Sequence, residues 1–285
     1  MSEMTDTRLP LLQIESLRVE AFAPDGSRTR ILDDIDLEVH PGEPMGLVGE
    51  SGSGKSMTLR AVLGLLPPSI RVTGGRICFE GRDILTSGPR GGYDTRVRGA
   101  GISMVFQEPA IALNPVMKVG RQITDAVALR QGMTKKAARK RAIELMDQVG
   151  IVDAEHRVDS YPFELSGGMR QRVMIAAAIA QQPKLLLCDE PTTALDVTIQ
   201  AQVVDLFRTT QHESGLGLLY VTHDLAVVSQ MCTSLTVMRH GNILEHGALQ
   251  SIFDAPAHDY TRALLTATPR LPEDTLTALG TETRA

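Results

Sequence analysis

Residues 49–56 read Gly49-Glu50-Ser51-Gly52-Ser53-Gly54-Lys55-Ser56, a G-x-x-x-x-G-K-[ST] spacing, directly behind the short apolar run Met45 to Val48. The segment Ser56 to Leu66 that follows is apolar at helical spacing and is expected to stop at Pro67-Pro68. A strand that runs into a glycine-rich loop and then a helix is built to cradle phosphates. Glycines let successive backbone N–H groups turn inward where a Cβ would obstruct them. The helix beginning near Lys55 adds its positive end. Lys55 is expected to reach the terminal phosphates as a point charge, and the Ser56 hydroxyl to ligate Mg²⁺.

A second motif completes this chemistry. Leu185-Leu186-Leu187-Cys188 reads as a buried strand that ends in two carboxylates, Asp189 and Glu190. Ligands of open α/β sheets sit at the carboxyl ends of the strands, so Asp189 is expected to meet Mg²⁺ beside Ser56. Glu190, one residue on, points elsewhere and could orient or deprotonate an attacking water. The chain therefore binds and hydrolyses a nucleoside triphosphate, with ATP and Mg²⁺ as the expected ligands.

The rest of the pattern sets the fold class. Leu11 to Val19 and Ile31 to Val39 alternate apolar and polar residues around Pro24-Asp25-Gly26, the mark of an antiparallel hairpin. Thr73-Gly74-Gly75 is expected to open another strand, Arg76 to Phe79. From Val119 to Val149, and again from Arg170 to Ala180, apolar residues recur at helical spacing. Beyond Leu185, strands and helices alternate (Val197 to His212, Leu216 to Val221, Leu225 to Met231, Leu235 to Met238), which predicts parallel strands with crossover helices.

Composition narrows the classes that remain. At 285 residues the chain is long enough for one large domain or two fused lobes. Its 29 Lys and Arg against 34 Asp and Glu leave a formal charge of -5, so no global basic field attracts nucleic acid. Cys78, Cys188 and Cys232 are far apart and read as reduced, cytosolic thiols, with Cys188 a small core residue. No apolar run approaches the 18 or so residues of a spanning helix, so any membrane role is that of a peripheral subunit. The basic run Lys135-Lys136…Arg139-Lys140-Arg141 has Glu144 in helical register with it and reads as a solvated helix face.

Leu165-Ser166-Gly167-Gly168-Met169-Arg170-Gln171 places a serine and two glycines at a helix N-terminus, a second anion site. It resembles the LSGGQ signature of the ABC (ATP-binding cassette) ATPases. The resemblance implies that Ser166, Gly167 and Gly168 face the γ-phosphate held by the P-loop of an opposing subunit. It also assigns Gln107 to the Q-loop, touching Mg²⁺ and the lytic water, and Ala194-Leu195-Asp196 to the D-loop at the dimer interface. His223, after Tyr220-Val221-Thr222, becomes the switch histidine at the γ-phosphate. Phe22 is the chosen adenine-stacking residue, with Arg28 as an alternative.

The implied fold is α/β: a P-loop NTPase core with a mostly parallel sheet, an N-terminal antiparallel β subdomain and an inserted α-helical signature subdomain. It spans residues 11–265, with the helical insertion at about 108–175 and a flexible tail over 266–285. Leu113-Asn114-Pro115, Tyr161-Pro162-Phe163-Glu164-Leu165 and His258-Asp259-Tyr260-Thr261-Arg262-Ala263-Leu264-Leu265 further resemble the oligopeptide/dipeptide/nickel importer ATPases. Asp259 replaces the proline usual in the last phrase, which could loosen the turn there. The cysteine cluster that many such members carry near the C-terminus is missing from this sequence.

This resemblance implies a second cassette subunit, identical or different, two transmembrane permeases, an extracytoplasmic solute-binding protein and a place at the cytoplasmic face of the cell membrane. Residues 107–125 would receive the permease. Two readings of another class compete with the importer: an accessory cassette of a cytosolic enzyme complex of the carbon–phosphorus lyase type, and a cassette acting on nucleic acid or the ribosome. The transported solute is not legible, because a cassette does not touch it.

Overall fold

A computed structural model of the chain describes residues 9–86, 92–192 and 195–267. The expected tail therefore lies almost wholly outside the described residues. The chain opens with strands β1 (Leu12–Phe22), β2 (Arg28–Val39) and β3 (Pro44–Val48), helix α1 (Lys55–Val62) and strand β4 (Ile70–Phe79). Short strands β5 (Arg82–Asp83), β6 (Leu85–Thr86) and β7 (Gly92–Tyr93) lead to β8 (Ile102–Val105). Helices α2 (Pro109–Ala112), α3 (Val119–Gln131), α4 (Lys135–Gln148), α5 (Ala154–Arg157) and α6 (Gly167–Ala180) all lie between β8 and β9 (Leu185–Asp189). The remainder alternates α7 (Val197–Ser214), β10 (Gly217–Val221), α8 (Leu225–Met231), β11 (Ser234–Arg239) and β12 (Asn242–Ala248), then ends with α9 (Leu249–Asp254) and α10 (Asp259–Ala267).

Two main sheets form. The central one has the order β12-β11-β3-β10-β9-β8, and only the edge strand β12 runs antiparallel to its neighbour. The other, β2-β1-β4-β5, is antiparallel throughout. Strands β3, β9 and β10 are buried at every position, which explains why their sequences are continuous apolar runs. Their side chains still alternate between two cores. Leu185, Leu187, Leu219 and Val221 join the core shared with α1 and the antiparallel sheet. Leu186, Cys188, Leu218 and Tyr220 join the core under α3, α4, α6 and α7, where Phe207 meets Tyr220 edge-on at 6.4 Å. All three cysteines are free and buried.

Several boundaries differ from the sequence expectation. Helix α1 ends at Val62 rather than Leu66, because Gly64 takes a left-handed φ of 61° and its N–H caps the Ala61 carbonyl. The stretch 119–149 is two helices: Gly132 ends α3 in the left-handed region, and Thr134 caps α4 by accepting the Ala137 N–H. Thr73-Gly74-Gly75 lies inside β4 rather than at its start. The register against β1 shifts there, and a Cβ on Gly75 would meet the Ser16 carbonyl oxygen at 2.4 Å. The basic face of α4 is solvated and ion-paired, Arg139 with Asp159 and Arg141 with Glu144.

Candidate functional site

The 49–56 loop joins the end of β3 to the start of α1 and packs beneath the turn between β11 and β12. A Cβ on Gly49 would lie 2.1 Å from the Met238 carbonyl oxygen, so only glycine fits at that crossing. Gly52 and Gly54 take φ of 80° and 109°. The Gly241 N–H donates to the Ser53 carbonyl at 2.9 Å, and the Gly241 carbonyl accepts from Asp33 of β2. The loop is thus braced from both sheets.

Lys55 is only 6% exposed. Its ammonium donates to the carbonyls of Gly49 (2.7 Å) and Glu50 (2.8 Å) and to the Ser53 hydroxyl (3.1 Å). Burial pushes its pKa down, against the charges of Glu190, Asp189 and Glu50. The Ser56 hydroxyl donates to Asp189 at 2.8 Å, so the loop and the end of β9 meet where the sequence placed them. Burial raises the Asp189 pKa, and the Ser56 hydrogen bond partly offsets that. Two hard oxygen ligands beside a phosphate cradle suit Mg²⁺, which takes its remaining oxygens from phosphates and water.

Glu190 stands between two other sequence candidates, Gln107 and His223. It adopts a left-handed φ of 46°, a conformation uncommon for a residue with a side chain and frequent at functional sites. Its own N–H is tied to the Val221 carbonyl. Gln107 donates to its Oε2 at 3.2 Å, and His223 Nδ1 lies 3.3 Å from its Oε1. His223 is held in a short connection where Asp224 caps α8 and Thr222 accepts the Asp224 N–H.

The remaining candidates sit apart from this cluster. Ser166 is exposed and caps α6 by accepting the Met169 N–H at 3.3 Å; Gly167 faces open space. Asp196 is also exposed and caps α7, while Thr193 and Ala194 of the same loop lie outside the described residues. Phe22 ends β1, three residues beyond Val19, whose cross-strand partner Leu32 touches the loop at Gly54. Arg28 and Arg71 both lie over the Phe22 ring, at 5.2 and 5.4 Å, so the phenyl and the guanidinium alternatives are one cluster.

A model of the ABC transporter family matches residues 32–193. The chain belongs to that family. A relative described as a putative peptide import ATP-binding protein of Brucella abortus is 46% identical over 265 residues, covering 93% of this chain and 79% of the relative. The dipeptide transport ATP-binding protein DppD of Escherichia coli K12 is 45% identical over 266 residues, covering 93% and 80%. Among solved structures, the dimeric post-hydrolysis state of the ATP-binding cassette MJ0796 bound to ADP and Pi superposes with a TM-score of 0.73 at 25% identity, over 84% of this chain and 98% of that one.

Two features of this cassette were not visible as site elements in the sequence. Gln171 of α6 donates to the Pro191 carbonyl at 2.8 Å, tying the signature helix to the turn after Glu190. Tyr260 of α10 accepts the Glu50 N–H at 2.9 Å; its phrase stood out as a family marker, but nothing local announced the contact.

The raised pKa of Asp189 fixes the sign of a stability effect. Its folded pKa lies above the unfolded one, so its ionisation costs stability at pH values above the folded pKa, and that cost disappears as pH falls through it. Asp189→Asn is expected to raise the thermal midpoint of the nucleotide-free chain at pH 8. That advantage should shrink as pH falls through the folded pKa of Asp189. Thermal unfolding across this range checks it; a variant less stable than the native chain at pH 8 contradicts the burial cost.

Proposed function

We propose that this chain is the ATP-hydrolysing subunit of an importer for peptides or a related small solute, working as one of two cassettes. The observation that carries the chemistry is the convergence of Gln107 and His223 on the two oxygens of Glu190, beside the Ser56–Asp189 pair. The solute class rests on relatives named for peptide, dipeptide and oligopeptide transport.

The residues divide the work. The Gly49–Gly54 backbone and Lys55 bind the phosphates, and Lys55 neutralises charge that develops on the transferred group. Ser56 and Asp189 would hold Mg²⁺, with Gln107 as a further oxygen donor; the ion supplies charge neutralisation and alignment of the phosphates. Glu190 takes the proton of the attacking water or orients it. Gln107 and His223 hold the two carboxylate oxygens of Glu190, so its position answers to both connections at once. Phe22, with Arg28 and Arg71, offers a surface for the base.

Ser166 and Gly167, exposed at the start of a 14-residue helix, supply the missing half of the opposite cassette's site. Asp196 belongs to the same interface. Two permeases and an extracytoplasmic solute-binding protein complete the assembly, and the chain sits peripherally on the cytoplasmic side. Among the described residues no helix is long and apolar enough to cross a membrane. Ile111 and Val116 are 80% and 82% exposed just after Gln107, an apolar surface suited to a permease helix.

Two outcomes follow. Glu190→Gln should keep ATP binding while turnover falls by about 10²–10⁴-fold, the usual range for a general base; unchanged turnover removes Glu190 from this role. A photocrosslinker at Ile111 in the assembled transporter should capture a cytoplasmic permease loop. Capture only at surfaces far from residues 107–125 contradicts the docking site.

A further inference from the structure

The Glu50 peptide group is held from a distant part of the chain. Its N–H donates to the Tyr260 hydroxyl on α10, 210 residues later, at 2.9 Å. That N–H shares one rigid peptide plane with the Gly49 carbonyl, which accepts from the Lys55 ammonium at 2.7 Å. The plane is therefore pinned at both ends, by a phenol on one side and by the phosphate-binding lysine on the other. Rotation of this plane is otherwise easy, because Gly49 has no side chain to oppose it.

Tyr260 is itself firmly placed. It is 7% exposed, and the Arg239 guanidinium lies over its ring at 4.6 Å. Its N–H donates to His258 Nδ1 at 3.0 Å, and the Glu245 carboxylate accepts the N–H groups of Ala257 and His258. Asp259 opens α10, where a carboxylate is favourable, and pairs with Arg262.

We infer that Tyr260 is a positioning residue for ATP binding: by accepting the Glu50 N–H it locks the Gly49–Glu50 peptide so that its carbonyl faces Lys55 and the cradle is set before nucleotide arrives. The inference rests on the proposed ATP site and adds to it a residue from outside the motifs. Losing the hydroxyl leaves the Glu50 N–H without its acceptor and frees the plane to turn. The folded cradle then has more than one arrangement, and ATP must select the productive one. The loss falls on binding rather than on the chemical step, so it raises KM and leaves kcat in place.

The test is Tyr260→Phe, which keeps the ring under Arg239 and removes only the oxygen. Binding of a fluorescent trinitrophenyl-ATP to the full chain, and KM and kcat for ATP in the assembled transporter, are compared with the native protein. Affinity should fall about fivefold, the scale of one hydrogen bond, and KM should rise by the same factor while saturating ATP restores the native rate. Unchanged affinity overturns the inference, as does a rate that saturating ATP does not restore, the mark of a general loss of folded protein. A native chain that binds no ATP at all overturns the proposed site itself. A native chain that binds and turns over ATP beside an unaltered Tyr260→Phe variant overturns the role of Tyr260 alone.

Discussion

Lys55 holds an ammonium group away from water, and burying a charge is costly unless oxygen atoms replace the lost solvent. Those oxygens come from the loop that precedes it, the Gly49 and Glu50 carbonyls and the Ser53 hydroxyl. The requirement shapes everything around it. The loop must curl tightly enough for its carbonyls to reach the lysine, which places glycines where φ is positive and where Met238 crosses. It must also be braced against unwinding, which brings in Gly241, β2 and Tyr260. The central sheet supplies the other half of the arrangement: β3 and β9 each lie against β10, and their carboxyl ends deliver the cradle and Asp189 to a single place.

Around this anchor the site is built for positioning rather than covalent chemistry. Two separate connections deliver Gln107 and His223 within hydrogen-bond range of the Glu190 carboxylate, so movement of either neighbouring loop changes where that carboxylate points. Gln107 leads from β8 into the helices, and Gln171 returns from α6 to the turn beyond Glu190. The helical region is thereby joined to the turn at Glu190 and Pro191 at both its entry and its exit. Such a linkage suits the proposed motor, in which the helical face meets the permease.

Most of the candidate site was legible because the runs that compose it are local. A phosphate loop, a strand ending in two carboxylates and a capped signature helix are each contiguous runs in which residue type and backbone need coincide. Tyr260 and Gly241 were not legible as site elements, since their contacts with the loop cross most of the chain and no periodicity encodes them. The fold followed the same rule. Continuous apolar runs marked β9 and β10, and alternation marked β1 and β2. The helix break at Gly132 and the early stop at Gly64 turn on single left-handed glycines, which a hydrophobic pattern passes over. Strand β4 was cut short because its glycines read as a turn, whereas Gly75 serves a bulge inside the sheet.

The proposed function requires that the exposed Ser166 of one cassette close on nucleotide bound over Lys55 of another. The direct measurement is the structure of the Glu190→Gln transporter assembly with ATP bound. Ser166 within hydrogen-bonding distance of a γ-phosphate held by the neighbouring cassette is the predicted result. ATP seated over Lys55 with Ser166 left facing solvent, in an assembly whose cassettes have closed, would contradict it.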